Sequence, residues 1–213
     1  MTNWIDISQA LTNEIAQFPG DTPFSYSPTF TKEETGSANI GQITTSLHIG
    51  THIDAPFHYD STGRTVEMLD LDRYIGKAVV MDVSHTEKIT AQVLQEFKWE
   101  NVSRVLLRTS LPNNPNHFPD QIPYLDPDIA SFLQQKGVTL LGVDIPSVDA
   151  PDSKDLKTHH ALYRNGINIL ENIMLDHVKE GLYELIALPL AIHGADGSPV
   201  RAVLRPINEE NES

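Results

Sequence analysis

The chain of 213 residues contains no cysteine. That removes disulfides, thiolate zinc sites, iron–sulfur clusters and cysteine nucleophiles together. The absence fits a reducing compartment without requiring one. Positive charge is scarce as well: 15 lysines and arginines stand against 29 aspartates and glutamates, a formal net charge of −14. Such a surface repels phosphate backbones, which argues against a nucleic-acid partner. No apolar run approaches the ~20 residues that a membrane-spanning helix needs. The opening Met1-Thr2-Asn3-Trp4-Ile5-Asp6 lacks the basic and then apolar pattern of a secretory signal. The expectation is a cytoplasmic protein with neither membrane nor nucleic acid as partner. Repeats, low-complexity blocks and long linkers are lacking too.

What remains is an ordinary folded composition, 39% hydrophobic and 21% charged, so one packed domain is expected. We assign it to residues 1–207, with Asn208-Glu209-Glu210-Asn211-Glu212-Ser213 as an acidic tail. Continuous apolar runs at 78–83, 105–109, 139–143, 167–170, 183–188 and 200–204 have the length and β-branched content of strands buried on both faces. Helices are expected between some of them. Thr90 can cap one carrying Val93, Leu94 and Phe97. Asp126 can cap another, with Pro127 at its first position and Gly137 as its stop. A third is expected from about Asp155 to Tyr163. The first quarter is strand-like and rich in Thr, Ser, Gly and Pro. The predicted class is α/β: a mixed β-sheet core, flanking helices and extra N-terminal strands.

One segment concentrates chemistry. Between His48 and His58 fall three of the nine histidines and Asp54, all at even positions: His48, His52, Asp54 and His58. A straight strand would put them on one face, but its ten steps at about 3.3 Å would hold the outer histidines some 33 Å apart. A helix would be broken at Pro56. A strand, a tight turn at Gly50 and a second strand ended by Pro56 can gather His48, His52 and Asp54 around one ion, with His58 beside it. Imidazole and carboxylate without sulfur suit Zn²⁺ or another first-row divalent metal. Any one histidine alone is more often a hydrogen-bonded core or surface residue than a ligand. Three with an aspartate, around Gly and Pro, are hard to explain as packing.

The pattern His-x-Gly-Thr-His-x-Asp-x-Pro-x-His, present from His48 to His58, resembles the signature of the cyclase-like metal hydrolases. The similarity continues through Trp4–Ser8, Phe18–Pro23, Gly142–Asp149, Ile169–Asn172 and Ala195–Ala202, and the full set is similar to the bacterial kynurenine formamidases of that family. The resemblance implies a swivelling β/β/α fold, a homodimer and two divalent ions per subunit, most simply Zn²⁺. It implies that His48, His52 and Asp54 hold the first ion, and that Asp54 bridges to a second held by His160 and Glu171. His159, next to His160, is then structural. Spacing alone leaves Glu171 equally well a strand-end residue facing solvent or an arginine. The implied reaction is hydrolysis of N-formyl-L-kynurenine to L-kynurenine and formate, in tryptophan breakdown: metal-activated water attacks the formyl carbon, with His58 as general acid and base. Phe18 stands where the formamidases carry tryptophan against the substrate ring. It keeps an aromatic face and loses the indole N–H.

Two other readings stay open at this level. A relative opening a cyclic amide such as isatin would carry the same ligands, because fold and metal site do not set the substrate. A non-catalytic metal-binding protein is the reading from another class, although structural zinc sites are usually closed and cysteine-rich. Arg64, Arg108 and Arg164 are all conceivable partners for a substrate carboxylate. His193 can line a pocket or simply start a turn.

Overall fold

Alternation along the central strands decides the architecture. The computed structural model describes residues 4–99 and 101–207; the expected acidic tail lies outside the described residues. The strands are β1 (Ile5–Asp6), β2 (Ser25–Phe30), β3 (Ile40–Thr44), β4 (His52–Asp54), β5 (Ile75–Asp82), β6 (Lys88–Ile89) and β7 (Arg104–Arg108). They continue with β8 (Tyr124–Leu125), β9 (Leu140–Val143), β10 (Asn168–Glu171), β11 (Gly181–Ile186), β12 (Gly197–Pro199) and β13 (Val203–Pro206). Four helices are described: α1 (Lys32–Thr35), α2 (Ala91–Gln95), α3 (Asp128–Gln135) and α4 (Lys157–Arg164).

Nine strands form one sheet in the order β1-β13-β11-β5-β7-β9-β10-β4-β12. Neighbours from β5 through β7 and β9 to β10 run parallel, and the pairs outside that centre are antiparallel. Side chains on a strand point alternately to opposite faces, and here both faces are apolar. Val79, Met81, Val105, Leu107, Leu141, Val143 and Ile169 enter one core, under residues of α2, α3 and α4. Ala78, Val80, Leu106, Leu140 and Leu170 enter the other, covered by Ile7, Val66, Tyr74, Leu175 and neighbouring loop residues. The result is the expected mixed-sheet α/β class with flanking helices. β2 and β3 are the additional N-terminal strands, paired as a separate ribbon.

Local signals set the helix ends. The Thr90 hydroxyl accepts the Val93 N–H at 3.4 Å at the start of α2. At α3 the Asp126 carboxylate accepts the Asp128 N–H at 3.1 Å, and Gly137, at φ +78°, lets the chain leave in the left-handed region. The expected strand at 200–204 divides instead: β12 ends at Pro199 and β13 starts at Val203. β12 pairs with β4 at one edge of the sheet, whereas β13 lies between β1 and β11 near the other.

Ile129 and Leu133 of α3 are fully buried against the sheet, while Gln134 is exposed. Leu133→Ala is expected to lower the unfolding free energy by about 2–5 kcal/mol through the cavity it leaves. Gln134→Ala is expected to stay within about 0.5 kcal/mol. Urea denaturation measures both.

Candidate metal centre

The histidine-rich segment folds as a turn, a short strand and a single helical turn. Residues 48–51 turn at Gly50, whose φ is +55°. A Cβ there would lie 2.8 Å from Leu11 Cδ2, so glycine is required by both conformation and space. β4 follows, and then a 3₁₀ turn over Pro56–His58. The expected second strand piece is thus only three residues long, and Pro56 opens a helical turn rather than ending a strand. Proline suits a first helical position because its missing N–H is not needed there.

β4 sits between β10 and β12, and its register builds the site. His52 and Asp54, two residues apart, share one face, while Ile53 enters the core. Glu171 on β10 is the cross-strand partner of His52. His52 Nδ1–H donates to the Gly50 carbonyl at 2.8 Å. Its Nε2 then stands 3.4 Å from both Asp54 Oδ1 and Glu171 Oε2. His48 reaches Asp54 Oδ1 through Nδ1 at 2.9 Å and Asp196 Oδ2 through Nε2 at 3.0 Å.

Helix α4 supplies His159, not His160. The Asp149 carboxylate, in the loop before α4, accepts the Thr158 and His159 backbone N–H groups at 3.0–3.1 Å. The same carboxylate accepts His159 Nδ1–H at 2.7 Å. With that nitrogen held, Nε2 points inward, 3.4 Å from Asp54 Oδ2 and 3.8 Å from Glu171 Oε1. His159 is buried; His160 lies half-buried with its ring 5.8 Å from that of Tyr59. The expected assignment of this pair is therefore reversed in space. Adjacent helical residues diverge by about 100°, so only one can face the cluster, and capping by Asp149 decides which.

Burial and charge pull against each other here. Burial alone would lower all three imidazole pKa values. Hydrogen bonds to Asp196 and Asp54 outweigh it and raise His48 to about 9. Asp54 and Glu171 raise His52 to about 10, and Asp149 and Asp54 raise His159 to about 10. Burial would raise Asp54, yet hydrogen bonds from His159, His48 and His52 hold it well below the usual carboxylate range. Glu171 is pushed up, by burial first and by Asp54 second. His58 differs: burial holds it below its ordinary value, favouring the neutral ring. Its ring lies 3.9 Å from that of His48, and its Nδ1 is 3.6 Å from Asp196 Oδ2.

The donor set fits divalent cations. Asp54 Oδ2 is buried and accepts no well-aligned hydrogen bond, and Asp54 and Glu171, the two buried carboxylates, together face three imidazoles. Without a metal, protonated imidazoles balance the two carboxylates; a divalent cation can take over that role and release the imidazole protons. Ligand atoms within 4.8 Å of one another form two groups, His48/Asp54/His58 and His52/Asp54/Glu171, which share Asp54. A cavity of about 340 Å³ opens onto the cluster, with Phe18, Phe118 and Ser147 also on its walls. None of Arg64, Arg108 and Arg164 lines it. Arg108 is bonded to Asp82 and the Val178 carbonyl. His193 is exposed and pairs with Glu67 at 2.9 Å, away from the cavity.

Residue types and spacing did not single out Asp149, Asp196 or Phe118 for a role. The first two lie inside the blocks 142–149 and 195–202, where a carboxylate in a short loop was the available signal. Phe118, in a loop of Asn and Pro, carried none.

Comparison with known proteins agrees with this geometry. Among solved structures, the backbone superposes on a potential metal-dependent hydrolase with cyclase activity at a TM-score of 0.82, with 25% identity over 98% of this chain and 100% of the other. Isatin hydrolase A from Labrenzia aggregata shares the fold at a TM-score of 0.81 and 23% identity, over 97% and 94% of the two chains. The fold class is that of the cyclase-type hydrolases. A family model described as "Putative cyclase" matches residues 5–150. Kynurenine formamidases of Bacillus thuringiensis (strain Al Hakam) and Bacillus cereus (strain ZK / E33L) are each 58% identical over 206 residues, covering 97% of this chain and 99% of theirs. The chain belongs to the cyclase family, in its kynurenine formamidase branch.

His159→Ala is expected to remove about one metal ion per subunit from zinc-loaded protein, and His160→Ala to leave the content unchanged. Elemental analysis of the dialysed variants reads the difference. Loss of metal from His160→Ala alone would restore the original assignment.

Proposed function

We propose that the protein is a cytoplasmic, homodimeric, zinc-dependent formamidase that hydrolyses N-formyl-L-kynurenine to L-kynurenine and formate. The observation that carries the reading is the buried His/Asp/Glu cluster beneath an aromatic-walled cavity, in a chain 58% identical to kynurenine formamidases along nearly its whole length. Two ions are proposed. Asp54 divides its oxygens, Oδ1 facing His48 and His52 and Oδ2 facing His159. His48, His52 and Asp54 would hold one ion; Asp54, His159 and Glu171 would hold the other. Bound there, the ions supply Lewis acidity, lowering the pKa of water and offsetting charge on the carbonyl oxygen.

His58 moves the proton. Burial favours its neutral form, and it is one-third exposed at the cavity wall. With Nδ1 towards Asp196, its Nε2 is free to take a proton from the attacking water and return it to the aniline nitrogen as the C–N bond breaks. Asp149, by holding His159 Nδ1, orients that ring, and Glu171 is fixed by the Val148 N–H at 2.9 Å. Phe18 and Phe118, edge to face at 5.4 Å, form an apolar corner for the aryl ring. Support for the homodimer comes from the β2–β3 ribbon, where Tyr26, Phe30, Ile40 and Ile43 are each at least half exposed. A second copy would cover that apolar surface. Among the described residues no helix is long and apolar enough to cross a membrane.

Purified zinc-loaded protein is expected to release kynurenine from N-formyl-L-kynurenine, and a chelator to stop it with the fold retained. No turnover by folded, metal-loaded protein would replace the substrate with a cyclic amide. Unfolding on chelation would favour a structural metal site.

His58→Ala is expected to cut kcat by roughly 10²–10⁴ with metal content intact. Metal lost together with activity would make His58 a ligand. Phe18→Ala is expected to raise KM for aryl formamides about tenfold, ~1.4 kcal/mol, and to leave small aliphatic formamides little changed. Equal effects on both would reduce Phe18 to packing.

A further inference from the structure

Beside the cavity over the cluster lies a second of about 260 Å³. Ala16, Phe118, Pro146 and Asn172 line both, so the two adjoin as neighbouring lobes along a shared wall. A hydrogen bond from the Ala16 N–H to the Pro115 carbonyl, 2.8 Å, ties together the two loops at this divide. The second lobe, which has no part in the histidine cluster, mixes prolines and Leu111 with amide and acidic side chains. Gln9, Asn113, Asn114, His117, Asp120 and Asp144 line it, and no lysine or arginine does. Nothing in the proposed mechanism uses it.

Asp144 is the notable wall. It is 3% exposed, and its two oxygens accept the Thr109 N–H at 3.1 and 2.9 Å. No ion pair to it forms among the described residues, and neighbouring Arg108 is bonded to Asp82. Burial pushes its carboxyl up to about 7, partly offset by the Thr109 hydrogen bonds, and the Asp176 charge adds to the rise. A carboxylate so placed is stabilised by a cation entering the lobe.

The proposed substrate has the matching shape. Its ring carries the formamide on one carbon and an α-amino-acid arm on the next, so reacting group and arm leave in neighbouring directions. We infer that the second lobe binds this arm, with its ammonium group against Asp144 and its carboxylate turned away from the aspartates toward the Gln9 amide, while the aryl formamide lies over the cluster and Phe118 marks the divide. The inference rests on the formamidase reading above. It makes the second lobe the specificity site of the cleft, because a buried carboxylate left without its cation disfavours substrates that lack one.

The test compares three substrates on the zinc-loaded protein: N-formyl-L-kynurenine, its des-amino analogue, and 2-formamidoacetophenone, in which the arm is cut to a methyl group. The wild type is expected to favour the full substrate over both others by about tenfold or more in kcat/KM. Asp144→Asn keeps the shape and an acceptor for Thr109, and is expected to raise KM for the full substrate about tenfold while leaving 2-formamidoacetophenone within about twofold. Asn114→Trp, on the exposed loop, fills the lobe without disturbing the buried carboxylate, and is expected to give the same split. Indifference of the wild type to the amino group, or equal losses on full and truncated substrates in both variants, would overturn the assignment. Turnover of none of the three by the wild type would instead remove the formamidase reading, and this inference with it.

Discussion

A carboxylate buried beside a second carboxylate is the constraint around which the rest of the molecule is arranged. Asp54 is 2% exposed and Glu171 3% exposed. Leaving two such charges unpartnered in a protein interior would cost several kcal/mol each. The chain answers with three imidazoles, each aimed by a fixed acceptor on its other nitrogen: Gly50 for His52, Asp196 for His48 and Asp149 for His159. Once one nitrogen of each ring is committed, the remaining three converge on Asp54 and Glu171. A cluster built this way has places for cations before any cation arrives.

The scaffold makes that convergence rigid. β4 contributes only three residues, yet it is flanked by β10 and β12, so His52 and Asp54 are locked in register against Glu171 and Gly197. Gly197 has to be a glycine for the same reason: a Cβ would come within 2.8 Å of His48 and 2.9 Å of the Ile53 carbonyl. Two apolar faces hold the sheet in place, and α4 delivers His159 from outside it. Ligands on strands and a helix are held more tightly than ligands on loops. Recognition follows the opposite rule. Phe18, Phe118 and most of the second lobe lie on loops, where side chains can differ between relatives without disturbing the cluster.

That division separates a fixed scaffold from walls that can vary. The fold shared with isatin hydrolase at 23% identity speaks for the scaffold alone. The loops carry the aromatic corner and the acidic lobe, the surfaces to which substrate choice is assigned in the proposals above. Phe18 and Phe118 meet edge to face at 5.4 Å and together form the aromatic part of the wall.

Much of this was legible in the chain itself. Apolar runs at strand length marked β5, β7, β9, β10 and β11, because burial on both faces leaves a continuous apolar signature. Thr90, Asp126 and Gly137 marked helix ends, because capping is local chemistry. The spacing from His48 to His58 pointed to a metal site, because four ligand-type side chains around Gly and Pro have few other uses. Three features needed the tertiary structure. Whether His159 or His160 faces the cluster depends on how α4 is rotated, and the Asp149 cap that sets the rotation comes from a loop eight residues upstream. Phe118 and Asp144 become parts of one cleft only when the loop after β7 folds over the end of β9. The break between β12 and β13 depends on which neighbours each segment pairs with. Sequence determines what is written over a few consecutive residues, such as strand, cap and ligand type; orientation and company across the chain are long-range packing, and only the folded molecule decides them.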